Sequence, residues 1–167
     1  MTLRAAALLA LLLFIAAGAR AETVMISVQD DTDIEDEDYR SVSRYHLSAV
    51  EDGVMEAFFD AGHIVFNFGE YERPAGETMQ RRYDIRKAAK GGGASMVVQL
   101  SLVFERVDEE TLKPVGIDYE LWDVASGEAL AGGRRSAPFG FSEENNKPGN
   151  RSAELGRRVA RELLLKL

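Results

Sequence analysis

Seven carboxylates crowd the stretch "DDTDIEDED" from Asp30 to Asp38, the densest set of ligand-type side chains in this 167-residue sequence. Asp31, Asp33 and Glu35 alternate as in a calcium loop, and Asp31, Asp33 and Asp36 are the candidate ligands. A hard cation takes such oxygen sets, but an EF-hand loop also needs a mid-loop glycine and a closing glutamate between two helices. Ile34 and Asp36 fill the middle here, and a strand pattern precedes. Those departures favour a solvated acidic loop near a helix N-terminus, with no metal and no cofactor.

The other chemistry-bearing patterns fail on order or spacing. "KAAKGGGASMVVQL", Lys87 to Leu100, sets three glycines beside lysines. A phosphate-binding loop runs from strand to helix, so that helix N-terminal amides face the anion. This one runs from helix to strand, where the helix dipole favours cations. Gly91 to Gly93 therefore end a helix by supplying a positive φ. His46 and His63 are the two histidines, and no H-x-x-x-H or H-E-x-x-H pairs them. Serines at 95, 101, 126 and 136 sit in no G-x-S-x-G elbow. No catalytic set assembles. What remains faces partners: Trp122, which breaks the strand alternation after Leu121 through a bulge or by pointing outward, and Phe139 with Phe141 in "APFGFS", an aromatic pair able to anchor a partner.

The elements that hold these residues begin after an export signal. "MTLRAAALLALLLFIAAGARA" joins a positive n-region, an apolar run from Ala5 to Ala17 and an Ala19-Arg20-Ala21 site, a secretory signal peptide cleaved after Ala21. The run is shorter than the ~20 residues that span a bilayer, and no cysteine follows for lipidation. Residues 22–167 form one domain, long enough to bury a core without staples. With 0 cysteines, disulfides and thiol chemistry are excluded. Losing Arg4 and Arg20 deepens the formal net charge from −8 to −10. Such a surface repels phosphate backbones and excludes nucleic acid as the main partner.

Period-2 and period-3.6 patterns place a strand at 23–28, a helix at 43–61 capped by Gly62, a strand at 63–69 and a helix at 77–90 with a thin apolar stripe. A strong strand follows at 95–107, then a second at 115–124 and a short one near 129–135. A last helix carries Gly156, Val159, Ala160, Leu163, Leu164 and Leu167 on one face. The order β-α-β-α-β-β-β-α predicts an α/β (α+β) fold, one mixed sheet with helices packed on one face.

"GASMVVQLSLVFE", "YELWDVASGEAL" and the closing "AELGRRVARELLLKL" resemble the exported α/β domain shared by the N-terminal part of TolB, the curli secretion protein CsgG and the penicillin-binding-protein activator LpoB. The resemblance implies a non-enzymatic binding or adaptor module of the bacterial cell envelope, periplasmic and working through protein contacts. It carries no residue-level binding signature onto this chain. The competing expectations are a small periplasmic hydrolase built from scattered Asp, Glu and Ser, and an outer-membrane assembly or secretion accessory.

Overall fold

The computed structural model describes residues 21–31, 37–68, 78–106, 112–136 and 148–167. In chain order these form β1 (Thr23–Asp30), α1 (Glu37–Asp60), β2 (Ile64–Asn67), α2 (Thr78–Gly91), β3 (Met96–Arg106), β4 (Leu112–Asp123), β5 (Ala129–Ser136) and α3 (Pro148–Leu164). The element order is the one the sequence predicts. No described helix is long and apolar enough to cross a membrane. The first helix starts two turns earlier than its apolar spacing suggests. Tyr39 is buried and Val42 packs on the core, which extends the stripe, and Asp38 suits the positive end of the helix dipole.

The five strands lie in the order β2-β1-β3-β4-β5. β1 pairs parallel with both β2 and β3, whereas β3–β4 and β4–β5 pair antiparallel. That order corrects the expectation of helices on one face. The β1-to-β2 crossover steps toward one edge and the β2-to-β3 crossover steps back across β1. Right-handed crossovers in opposite directions put their helices on opposite faces. So α1 and α3 cover the face bearing Val24, Ile26, Val98, Leu100, Ile117 and Leu121, while α2 covers Met25, Val97 and Trp122 on the other with Ile85 and Ala89.

The larger core depends on a close approach of two helix backbones. A Cβ built on Gly53 of α1 would stand 2.8 Å from the carbonyl carbon of Ala153 in α3, and nearer still to its oxygen. A Cβ on Gly156 would stand 3.1 Å from the carbonyl carbon of Val50. The glycines let Leu155, Val159, Ala160 and Leu163 interlock with Leu47, Val50, Val54 and Phe58 above the sheet. Each large side chain buried there contributes about 1.5–3 kcal/mol. Leu167 departs from its expected place on this face. The helix closes at Leu164, which leaves Leu167 53% exposed.

Candidate functional site

The second face of the sheet is divided. Its lower part is apolar and roofed by α2. Gly92 and Ala94 donate to the carbonyls of Ala88 and Ala89, and Gly93 takes a φ of 74° that releases the chain toward β3. The glycine run thus turns the chain, as expected. Gly92 also has no side chain because the Phe66 ring fills that space.

Trp122 lies under this roof at 0% exposure. That corrects its reading as a surface anchor. It shares parity with Asp118 and Glu120, so it does point away from Leu121, but toward a face that α2 covers. The register shift of this region falls opposite it, between Leu121 and Trp122 along the β5 pairing, with Leu130 as the extra residue. Arg82 stands over the indole, its Cζ 5.4 Å from the ring centroid, a cation–π contact. One turn on, Arg86 Nε donates to the carbonyl of Val124 at 2.8 Å and its Nη2 to that of Ala125. These arginines hold α2 to the β4–β5 turn. The turn itself is set by Asp123, whose Oδ1 accepts from the Ser126 amide at 2.6 Å and the Ser126 hydroxyl at 2.8 Å. Those bonds hold the Asp123 carboxyl below its ordinary range.

Above the roof the same face turns polar in two rows across four strands. Ser27 pairs in register with Gln99, Gln99 with Glu120, and Glu120 with Gly132. The next row runs Gln29, Ser101, Asp118, Arg134. Gln29 Nε2 donates to Ser101 Oγ. Arg82 Nη1 meets Glu120 Oε2 at 3.4 Å, and Arg134 Nε meets Asp118 Oδ1 at 3.5 Å. Ser27 Oγ and Gln29 Oε1 are buried without a hydrogen-bond partner among the described residues. Both histidines lie elsewhere. His46 is on the opposite face, its Nδ1 2.8 Å from Ser152 Oγ, with its ring against Tyr45 and Phe104. Burial lowers its pKa from the ordinary 6.5. That serine–histidine pair is sealed between α1 and α3, with Ser152 at 0% exposure, so no substrate reaches it. His63 sits at the start of β2, accepting from the Glu22 amide at 3.3 Å.

Of the acidic candidates, Asp31 follows β1 directly and its amide donates to the Leu102 carbonyl at 2.7 Å. Asp33 and Asp36, with Phe139 and Phe141, lie outside the described residues. Among the described residues no group of three His, Asp or Glu gathers in a metal-holding arrangement. The two polar rows were not anticipated. Their signal was present as Ser27, Gln29, Gln99 and Ser101 at the off-phase positions of two apolar strands, but it becomes a surface only once register is known.

No protein-family model matches the chain, and no curated protein matches it. Solved structures do. The PelC dodecamer from Paraburkholderia phytofirmans is 21% identical over 86% of this chain and 87% of its own, with a TM-score of 0.46. The LpoB C-terminal domain from Salmonella enterica is 15% identical over 75% of this chain and 89% of its own, with a TM-score of 0.33. TolB from Acinetobacter baumannii is 13% identical over 89% of this chain and 28% of its own, with a TM-score of 0.38. LpoB and TolB, two of the three proteins in the sequence resemblance, are thus among the structures this chain is similar to. Scores of this size leave function to be argued from the chain's own residues.

Proposed function

We propose that this chain is an exported, non-enzymatic binding module of the bacterial cell envelope that works through protein contacts, its mature form 22–167 lying in the periplasm after cleavage behind Ala21. The observation that carries the reading is the state of the sheet edges. β2 and β5 are terminal strands, and each exposes a large apolar side chain, Ile64 at 59% and Leu130 at 51%. Charged side chains ordinarily guard an edge against strand addition. On β5 the two arginines are drawn over the faces of their own sheet instead, Arg134 to Asp118 and Arg135 to Glu162 at 2.9 Å. Among the described residues no strand pairs with the outer main chain of Ala129–Ser136, the side on which a partner strand would add.

Photo-crosslinking residues placed at Leu130 and at Ile64 in growing cells test this. One discrete protein adduct from either edge, on a chain whose intact mass begins at Glu22, is the expected result. An unprocessed chain, or no adduct at either edge, would refute it.

A further inference from the structure

Basic side chains gather on α2. The whole sequence carries a formal net charge of −8, yet α2 holds Arg81, Arg82, Arg86, Lys87 and Lys90 against the single acid Asp84. Two of these cations are spent inside the fold, Arg81 by burial and Arg82 on Glu120 and Trp122. Arg86 gives its hydrogen bonds to main-chain carbonyls, and its charge acts on the Asp123 carboxylate. Lys87 and Lys90 are exposed and form no ion pair among the described residues. One turn before Lys87, Tyr83 is 62% exposed.

Residues 83, 87 and 90 recur at i, i+4 and i+7, so the ring and both ammonium groups share the outward face of the helix. Ile85 and Ala89 bind the opposite face to the sheet. α1 and α3 lie across the sheet, so neither of them crowds this strip. Beyond it Gly91, Gly92 and Gly93 add exposed backbone and no side chain.

We propose that the outward face of α2 docks on an anionic lipid surface, with Lys87 and Lys90 meeting headgroup phosphates and Tyr83 seated at the interface. This goes beyond the protein-binding role proposed above and uses a different surface. Charge complementarity selects the occupant's sign. The shape of the strip selects its kind: a protein hot spot fills a well-packed concave pocket, whereas a convex helix with one aromatic and flanking lysines suits a headgroup layer. The acidic remainder of the chain is repelled by the same surface and so orients the contact. Each lysine near an anionic leaflet strengthens binding roughly fivefold at low salt.

The test is co-sedimentation of the protein, purified as the expressing cell exports it, with phosphatidylglycerol-containing vesicles and with pure phosphatidylcholine vesicles. Binding to the first only, lost as salt shortens the Debye length to about 3 Å at 1 M, is the expected result. Lys87→Gln with Lys90→Gln should weaken it roughly 25-fold with unchanged circular dichroism. Lys166→Gln, at the other end of the chain, should not. Equal binding to both vesicle types, no binding at low salt, or equal losses in the double variant and Lys166→Gln would each overturn the proposal. So would polyaspartate binding as tightly as the vesicles, because the strip would then read acidic polymers and not a bilayer.

Discussion

Adding one methyl group at Gly53 should unsettle this fold, although alanine is the better helix former. In an open helical position Gly→Ala raises stability by up to about 1 kcal/mol. At Gly53 the new Cβ would lie within 3.0 Å of the carbonyl carbon and Cα of Ala153, and under 3.0 Å something must shift. The obstacle is backbone, so no rotamer change relieves it. The α1–α3 pair must separate by roughly an ångström, a gap that forfeits a quarter to a half of each dispersion contact across it. Overpacking of this kind costs about 1–3 kcal/mol, occasionally more, and a rigid backbone obstacle places Gly53→Ala at the upper end. After the propensity gain, a net loss of about 2 kcal/mol remains, or ~4–8 °C in Tm for a chain of this length. Gly156→Ala meets the Val50 carbonyl and the Val54 amide and should behave alike. Gly91→Ala is the control, since its Cβ meets nothing within 4 Å and its φ is not positive. It should be neutral or slightly stabilising. The double variant at 53 and 156 should lose less than the sum, because one separation relieves both clashes. Urea denaturation of all four variants decides the matter. If Gly53→Ala stabilised the protein as Gly91→Ala does, the close approach of the two helices would be wrong.

The remaining predictions probe the two sheet faces. Because burial lowers the pKa of His46, the unfolded chain takes up a proton near 6.5 that the native state refuses. Stability should therefore fall as pH drops below about 6.5, and His46→Gln should flatten that segment of a urea-midpoint-versus-pH curve. Losses from Asp123 and Glu162, held low by Ser126 and Arg135, should enter only further down, near the usual carboxylate range. Leu163→Ala, at a fully buried position of α3, should cost about 2–5 kcal/mol; Arg158→Ala, on the exposed side with one ion pair to Glu154, should change stability by less than about 0.5 kcal/mol. Equal small effects would remove α3 from the core. Trp122 is the single tryptophan, so native fluorescence should be blue-shifted and resist acrylamide quenching, and a solvent-like spectrum would contradict the α2 roof.

Two misplacements in the sequence reading, of α2 and of Trp122, share one cause. Alternation within a strand tells which residues share a face, and it correctly grouped Ile117, Tyr119 and Leu121 against Asp118 and Glu120. It does not say how many faces are covered. With every helix assigned to one face, an indole in phase with Asp118 had to be exposed or re-phased by a bulge. The strand order β2-β1-β3 removes that choice, because it reverses the direction of the second crossover and carries α2 to the far side. Nothing in the local pattern of 23–30 or 64–67 encodes that β2 lies outside β1. The thin apolar stripe of α2 added to the difficulty. Its grip comes from Ile85, Ala89 and two arginines whose stems cover apolar surface while their heads bind carbonyls or stack on Trp122, and arginines read as solvated in a sequence. By contrast Gly62 and Gly93 were legible as turn points, since a positive φ is a local demand met by a residue type. The physics that reads directly from residues here is local. The surfaces on which function is proposed, the outer β5 edge and the basic strip of α2, depend instead on strand order, which sets where β5 ends the sheet and which face α2 covers.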